Sequence, residues 1–288
     1  MNTRGPHLHA FSSGLRGLGY VEGRNIVVEL RSADGNTERL PELAAALASL
    51  RVDVLVAPDP PSTFAAKAAT KTIPIVMRSS NDPVEMGLVS SLARPGGNVT
   101  GVYSLYAELT PKRLELLKEA IPGLTRVAVL WNPEFRGSQV VWRDTQAAAK
   151  ALGLTLHSLE VRRPEDLEGA FRAASAARDG ALLTLRNPLL VVHRRRIAVL
   201  AAQSRVPVMY DEREFVDEGG LMSYGANLDD LYRRAAAYVD KILKGASPAE
   251  IAVEQPTRFE LVINMKTART LGITIARSVL LRADRVVE

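Results

Sequence analysis

The feature that most limits the possible folds of this chain is a regular alternation of short apolar runs with longer amphipathic stretches. The short runs are rich in Val, Ile and Leu, as buried parallel strands are, and the amphipathic stretches of roughly 10 to 15 residues have helical periodicity. Strands that alternate with helices in this way indicate βαβ units and the α/β class. We predict strands at Asn25 to Leu30, Val52 to Ala57, Ile73 to Met77, Arg126 to Trp131, Thr155 to Val161, Ala181 to Leu185, Val206 to Tyr210 and Phe259 to Met265. We predict helices at His9 to Leu18, Thr37 to Leu50, Thr63 to Ala69, Pro83 to Leu92, Pro111 to Ala120, Ser138 to Leu152, Pro164 to Ala177, Pro188 to Ser204 and Leu228 to Leu243.

The pattern falls into two blocks. At roughly 150 residues per domain, a chain of 288 residues is expected to form two compact units. The first block ends at the turn-forming residues Pro95-Gly96-Gly97, and the second begins with a helix near Lys112. The first block opens with a helix, whereas a doubly wound block begins with its central strand. Either this unit has a helix-first topology or its first strand is missing.

The composition excludes several classes of protein. Hydrophobic residues make up 47% and charged residues 24% of the chain, which is typical of a globular protein. The formal charge of +5 is distributed among interspersed charges of both signs, so nucleic acid is not a predicted partner. Without cysteine, disulfides and thiolate chemistry are impossible. No apolar run approaches the ~20 residues of a transmembrane helix, and Met1 to Leu8 has no secretory-signal pattern.

Signatures of catalysis and of metal binding are absent from the sequence. A phosphate-binding P-loop motif does not occur, and Ser223 does not lie in the G-x-S-x-G spacing of a nucleophile elbow. The glycines at 14, 17, 19 and 23 lack the dinucleotide-binding spacing and follow a helix. The four histidines do not have the spacing of metal ligands. We therefore predict no enzyme activity, no metal and no cofactor.

Polar residues that follow the predicted strands are the candidate ligand contacts. Open parallel sheets bind ligands at the carboxyl ends of their strands. The residues at these positions are Ser62, Thr63, Asn81, Asp82, Asn132, Asn187, Tyr210 and Asp211. The helix that begins near Ser62 could hold a carboxylate at its positive end. Alternatively, Ser62, Asp82 and Asn187 serve only as helix caps.

Several longer motifs strongly resemble the ABC-transporter substrate-binding family that includes tryptophan- and tyrosine-binding proteins. The resemblance extends from about Phe11 to the C-terminus, and together the motifs are highly specific to that family. The segments that carry it are Gly14-Leu-Arg-Gly-Leu-Gly-Tyr-Val-Glu-Gly-Arg-Asn25, Ile73-Pro-Ile-Val with Asp82-Pro83, Leu92-Ala-Arg-Pro-Gly-Gly-Asn-Val-Thr-Gly101, Arg113-Leu-Glu-Leu-Leu-Lys118, Val127-Ala-Val-Leu-Trp-Asn-Pro133, Gly219-Gly-Leu-Met-Ser-Tyr-Gly225 and Val262-Ile-Asn-Met-Lys-Thr-Ala268.

This resemblance implies a type I periplasmic binding protein with two Rossmann-like, doubly wound lobes, a hinge and a cleft between the lobes. The expected N-terminal lobe comprises residues 1–103 and 226–257, and the C-terminal lobe residues 104–225 and 258–288. The lobes would close on a small solute, an amino acid or a similar carboxylate, without transforming it. The loaded monomer would dock on a membrane permease, its only membrane contact. By the resemblance, Ser62 and Thr63 would receive a carboxylate, Asp82 and Asn187 an amine, and Tyr103 and Tyr224 would lie near the hinge. The expected location is periplasmic or extracytoplasmic.

The chain departs from the family at three places. Relatives begin with a signal peptide and a strand before the segment that matches Phe11 to Tyr20, which implies a truncated or mis-started N-terminus. Ala276 stands where the family usually has Pro, and Asn187 where relatives often have Asp. Two alternatives remain open. The chain could be the effector-sensing domain of a LacI-like transcription regulator, with a helix-turn-helix head upstream, or a nonfunctional truncated paralogue.

Overall fold

Parallel strands in two separate sheets form the framework of the protein. The computed structural model describes residues 6–288, apart from the side chains of Pro6 and Arg136. The segment Met1 to Leu8, expected to lack a secretory signal, lies partly outside that range. Unit 1 is the described part of Met1–Leu105 together with Ala226–Arg258, and unit 2 is Tyr106–Gly225 together with Phe259–Glu288. The chain passes between the units at three points, and the predicted α/β class is confirmed.

Unit 1 contains a parallel sheet with strand order β1-β2-β3 within the described residues. Ile75 and Met77 of β2 pack into one apolar cluster, whereas Val76 packs on the other side of the sheet with helices α1 and α10. This alternation buries both faces of the strand. The elements of unit 1 are α1 (Pro6–Gly17), a 3-10 helix (Thr37–Arg39), α2 (Leu40–Ser49), β1 (Leu55–Ala57), α3 (Pro60–Ala69), β2 (Ile75–Ser79), β3 (Val99–Tyr103) and α10 (Leu228–Leu243).

Unit 2 contains a larger sheet with strand order β10-β9-β8-β7-β6-β4-β5. Val127 and Val129 of strand β4 face one apolar cluster, and Ala128 and Leu130 face another, so helices cover both sides of the sheet. The elements of unit 2 are α4 (Thr110–Ala120), β4 (Arg126–Trp131), α5 (Arg136–Ala151), β5 (Thr155–Glu160), α6 (Asp166–Ala176), β6 (Ala181–Thr184), α7 (Pro188–Val192), α8 (Arg194–Gln203), β7 (Val208–Tyr210), α9 (Arg213–Asp217), β8 (Met222–Ala226, which ends one residue into unit 1), β9 (Phe259–Asn264), α11 (Met265–Leu271), α12 (Arg277–Leu280) and β10 (Arg285–Val287).

Two predicted elements of unit 1 are wrong. Residues 25–30 do not form a strand, because no neighbouring strand pairs with them beyond one bridge between Glu22 and Ile26. Residues 83–92 form turns rather than a helix. The side chain of Asp82 accepts hydrogen bonds from the backbone N–H groups of Val84 at 2.7 Å and Glu85 at 3.3 Å, and Gly87 then adopts a left-handed conformation with φ 71°. That conformation stops helix propagation.

Unit 2 departs from prediction in smaller ways. The predicted helix at 188–204 is divided into α7 and α8 at His193, whose φ of −97° and ψ of 18° are not helical. Strands β3 in unit 1 and β8 and β10 in unit 2 were not predicted.

Among residues 6–288, no helix has both the length and the apolar character required to cross a membrane.

Candidate functional site

In unit 1, the predicted contacts lie after the carboxyl ends of two neighbouring parallel strands. Ser62 and Thr63 follow β1, and Asn81 and Asp82 follow β2, so the strand order brings the two pairs to one edge of the sheet. The structure shows what already occupies their polar atoms. The hydroxyl of Ser62 donates to Asp59 Oδ1 at 2.7 Å, and the hydroxyl of Thr63 donates to the Asp59 carbonyl at 2.8 Å.

Asp59 caps helix α3 with its own carboxylate. Its Oδ1 also accepts the backbone N–H of Ser62 at 2.8 Å, which completes a capping box. A carboxylate at this position neutralises the positive end of the helix, where a solute carboxylate was predicted to bind. Ser62 is half-buried and Thr63 fully buried, so both residues contribute to the local structure of the helix start.

A run of buried polar residues follows β2. Ser79, Ser80 and Asn81 are 0%, 5% and 8% exposed. The Ser79 hydroxyl donates to the Asn81 carbonyl at 2.6 Å, and the Ser80 hydroxyl donates to Asn81 Oδ1 at 3.1 Å. Asp82, which is half-buried, holds the turn described above. These hydrogen bonds fix a compact polar surface at the end of the strand.

In unit 2, Asn132, Asn187 and Asp211 follow the adjacent strands β4, β6 and β7 and therefore lie at one edge of the sheet. Asn132 Oδ1 accepts the Glu134 N–H at 2.8 Å in a turn. Asn187 is 2% exposed and its Oδ1 accepts the Leu190 N–H at 3.1 Å, so it caps α7. Both side chains thus have a structural role at this edge.

A charged cluster at the same edge includes two residues that the sequence did not reveal. Arg186 follows β6, and its guanidinium forms an ion pair with Glu212 and approaches Asp211 Oδ2 at 3.4 Å. All three side chains are at most 11% exposed. One guanidinium faces two carboxylates, and the buried guanidinium of Arg113 also interacts electrostatically with Asp211. Arg186 and Glu212 are next in sequence to the predicted contacts Asn187 and Asp211. This adjacency is the only feature of the sequence that could have identified them as residues of the site.

The tyrosines that were predicted to lie near the site have different environments. Tyr210 is 0% exposed, stacks on Phe215 with a centroid distance of 4.6 Å, and its hydroxyl has no hydrogen-bond partner among the described residues. Burial raises the pKa of the Tyr210 hydroxyl above its ordinary value of 10.0. Tyr103 ends β3 and is buried, whereas Tyr224 in β8 is half-buried and contacts Phe259. Tyr103 and Tyr224 lie within two residues of positions where the chain leaves a unit.

Metal ligation is not a property of this edge. Within residues 6–288, no group of three or more His, Cys, Asp or Glu side chains is arranged to hold a metal ion. The chemistry available is that of hydrogen bonding and ion pairing with a small polar molecule.

Comparison with known proteins agrees with this architecture. A tyrosine-binding protein from Clostridioides difficile is 29% identical over 263 residues, which cover 91% of this chain and 75% of that protein. A conserved domain protein from Vibrio cholerae has a structure with a TM-score of 0.89 and 30% identity, covering 98% of this chain and 95% of its own. An ABC domain in complex with L-Trp from Streptococcus pneumonia has a TM-score of 0.88 and 25% identity, with coverage of 98% and 94%.

The two α/β units and these similarities define the fold as that of a type I periplasmic binding protein. The family model described as "ABC transporter substrate binding protein" matches residues 5–287. The chain therefore belongs to the ABC transporter substrate-binding protein family, whose members are extracytoplasmic solute-binding proteins.

Proposed function

We propose that this chain is the solute-binding component of an ABC uptake transporter and that its solute is an amino acid or a similar small carboxylate. Membership of the family supports the transport role. The solute class is supported by two relatives, one named as a tyrosine-binding protein and one whose structure is a complex with L-Trp. The protein would work in the periplasm or elsewhere outside the cytoplasmic membrane, as a monomer that delivers its solute to a permease.

The cluster of Arg186, Asp211 and Glu212 is the observation that carries the proposed solute class. Its two carboxylates are buried, and a buried carboxylate is stabilised by a partner of opposite charge that donates hydrogen bonds. The ammonium group of an amino acid supplies that charge together with several hydrogen-bond donors. Asn132 and Asn187 are the neighbouring polar contacts that we propose in unit 2, and Ser62, Thr63, Asn81 and Asp82 are those that we propose in unit 1.

Binding alone, without a chemical step, is sufficient for this role. A solute that contacts both units would shift the population toward a closed form, because the additional contacts exist only in that form. Tyr103 and Tyr224 are the residues that we propose as part of the hinge. After incubation with the protein, the solute is expected to be recovered unchanged.

Thermal unfolding in the presence of individual amino acids tests the proposal. A solute at about 100 times its Kd stabilises the folded state by roughly 2.7 kcal/mol, which is a measurable rise in Tm. L-Tyrosine and L-tryptophan are the first probes, and neutral sugars are the comparison. A rise in Tm with sugars but with none of the twenty amino acids would contradict the proposed solute class.

A pair of matched variants connects the result to the cluster. We expect Asp211→Asn to weaken binding of the stabilising amino acid by at least about tenfold, because the variant replaces a charged hydrogen-bond acceptor with a neutral amide. Asp144→Asn makes the same change at an exposed position of α5 and should leave the Kd unaltered. Equal Kd values for the two variants would show that Asp211 does not contribute to recognition.

A further inference from the structure

Arg78 in β2 is a buried cation for which the described residues provide no hydrogen-bond or ion-pair partner. The residue is 5% exposed. Its Nε has no hydrogen-bond partner, and no side-chain hydrogen bond or ion pair joins Arg78 to any other residue in the range 6–288. Its contact is with the ring of Tyr232 in α10, whose centroid lies 5.9 Å from the guanidinium carbon.

An unpartnered guanidinium in this environment is energetically unfavourable. Arginine keeps its charge at all physiological pH values, and burial without a counter-charge removes hydration that nothing replaces. Arg113, the other arginine with such deep burial, shows the usual solution, because its guanidinium donates to the carbonyl oxygens of Tyr224 and Tyr106 and to the Thr110 hydroxyl. Arg78 lacks any equivalent acceptors in the described chain, so its donors are available to an external anion.

The surroundings of Arg78 favour an anion. Arg78 lies on the same side of the sheet as Val76, toward α1 and α10, whereas Met77 faces the opposite cluster. His7 in the first turn of α1 stacks on Tyr232 at 5.1 Å and approaches the Asp229 carboxylate of α10 at 3.7 Å. The first turns of both helices, which have positive partial charge, are therefore close to the Tyr232 ring. Asp229 is the opposing negative charge, and it already has His7 beside it.

The position in the sheet also favours a ligand. Arg78 is one residue from the end of β2, and the buried polar residues Ser79, Ser80 and Asn81 follow it directly. The carboxyl ends of parallel strands are where ligands bind in open α/β sheets. The neighbouring helix α3 is less suited to an anion, because the Asp59 carboxylate already caps its positive end. The guanidinium of Arg78, in contrast, has no counter-charge among residues 6–288.

We propose that Arg78 binds the carboxylate of the transported solute. This inference rests on the proposed function and narrows it, because it requires a transported solute with a free carboxylate, for which the corresponding amide is a weaker ligand. The planar guanidinium can donate two parallel hydrogen bonds to the two carboxylate oxygens. The Tyr232 ring supports the guanidinium through a cation–π contact.

Calorimetric titration with matched ligands tests the assignment. L-Tyrosine and L-tryptophan are compared with L-tyrosinamide and L-tryptophanamide, which lack the carboxylate, on the wild type, on Arg78→Met and on Arg94→Met. Arg94 is an exposed arginine of the same unit and serves as the control. We expect Arg78→Met to weaken binding of the acids by about 10- to 100-fold and to leave amide binding unchanged. An identical acid-to-amide ratio in the wild type and in Arg78→Met would overturn the proposal.

A second measurement separates failure of this inference from failure of the proposed function. If neither amino acid binds the wild type, the proposed solute class fails, and the response of Tm to acetate and to inorganic phosphate decides the role of Arg78. We expect either anion to raise the Tm of the wild type more than that of Arg78→Met, with sodium chloride at equal ionic strength as reference. A larger effect of acetate favours a carboxylate, and a larger effect of phosphate overturns that choice of ligand.

The stability of the variants provides an additional check. Without added anion, Arg78→Met should unfold at the same Tm as the wild type or higher, because the uncompensated charge is removed. Arg78→Lys keeps the charge and should retain part of the response to acetate. A Tm of Arg78→Met far below that of the wild type and of Arg94→Met would show that Arg78 is structural and would overturn the proposal.

Discussion

The guanidinium of Arg113 donates from Nε to the backbone carbonyl of Tyr224 across 2.7 Å. The same side chain donates from Nη1 to the Tyr106 carbonyl at 2.9 Å and lies over the Tyr106 ring at 4.7 Å. Arg113 is 1% exposed, and its burial lowers the pKa of the guanidinium below its ordinary value. A single buried cation of α4 therefore connects the first residue of unit 2 with strand β8.

Replacing Arg113 by Met should destabilise the protein substantially. The variant removes the donor of the Tyr224 carbonyl oxygen and leaves the Tyr106 carbonyl oxygen with only the long hydrogen bond from the Thr110 hydroxyl at 3.4 Å. We expect a loss of about 2 to 5 kcal/mol in the free energy of unfolding. Chemical denaturation at neutral pH measures the loss. Lys112→Met is the control, since the Lys112 side chain is 40% exposed and forms a surface ion pair with Glu115 at 2.6 Å. A common denaturation midpoint for both variants would contradict the interpretation.

Replacing each of two glycines of unit 2 with alanine should change the stability of the protein in opposite directions. A Cβ on Gly225 would lie 2.0 Å from the carbonyl oxygen of Asp211, so Gly225→Ala must displace backbone. Gly169 in α6 has no heavy atom within 4 Å of the equivalent position, and Gly169→Ala should stabilise the helix by up to about 1 kcal/mol. We expect Gly225→Ala to cost more than about 2 kcal/mol. Unfolding curves that place both variants on the same side of the wild type would disprove this.

The elements that could be predicted from sequence are those whose apolar pattern is continuous. The predicted strand at residues 126–131 and the predicted helix at residues 228–243 agree with β4 and α10 at both ends. Val127 to Leu130 are fully buried, and the apolar face of α10 follows an Asn227 cap. In such elements the local pattern and the tertiary environment favour the same structure.

Strands that depend on their neighbours could not be predicted in the same way. Residues 25–30 have the residue types of a strand, but Val27 is 77% exposed and no strand pairs with it. Strands β3 and β8 were missed because Gly101 and Gly225 interrupt their apolar runs. Both glycines are required by close approach, since a Cβ on Gly101 would lie 2.1 Å from the Met77 carbonyl oxygen. Close approach of two strands is a tertiary contact, and residue type along the chain does not record it.

The candidate site shows the same division. The positions after the strands were recognisable, but their partners were not, because the contact of Arg186 with Glu212 spans two strand ends. Arg78 was overlooked because an arginine within an apolar run shows neither how deeply it is buried nor whether an acceptor lies nearby. Long-range pairing and burial are the physical information that the sequence pattern lacks.

Replacing each of two buried tyrosines with phenylalanine should change the stability of the protein in opposite directions. The Tyr210 hydroxyl is buried without a hydrogen-bond partner, so Tyr210→Phe removes a desolvated group and should stabilise unit 2 by about 1 kcal/mol. In unit 1, the Tyr238 hydroxyl donates to the Ala252 carbonyl at 2.5 Å. Tyr238→Phe leaves that oxygen unpaired and should destabilise by about 1 to 3 kcal/mol. Differential scanning calorimetry of both variants checks the signs, and a loss of stability in Tyr210→Phe would refute the first.

Alkaline pH should reduce stability through the buried tyrosines of unit 2. Burial raises the pKa values of Tyr106 and Tyr210 above 10.0 in the folded state. Above pH 10 the unfolded chain loses these protons first, so stability is intact below that pH and falls as pH rises, by about 1.4 kcal/mol per pH unit for each tyrosine. Denaturation midpoints from about pH 8 to 11 measure the slope. Tyr210→Phe should reduce the decrease in stability per pH unit by the contribution of one tyrosine. An unchanged slope would show that the Tyr210 hydroxyl does not contribute to the pH dependence.

The ion pair of Arg186 and Glu212 should stabilise the fold only as a pair. Arg186→Met leaves the buried carboxylate of Glu212 without its ion-pair partner and removes one of the cations that act on Asp211, and we expect a loss of about 3 to 5 kcal/mol. Adding Glu212→Gln removes one uncompensated charge, so the double variant should be more stable than Arg186→Met by about 1 to 3 kcal/mol. Arg162→Met, at an exposed pair with Glu160, should change stability by less than about 1 kcal/mol. Urea denaturation of the wild type, Arg186→Met, Glu212→Gln and the double variant gives the coupling energy, with Arg162→Met as the control. A double variant less stable than Arg186→Met would show that the Glu212 carboxylate is stabilised by groups other than Arg186.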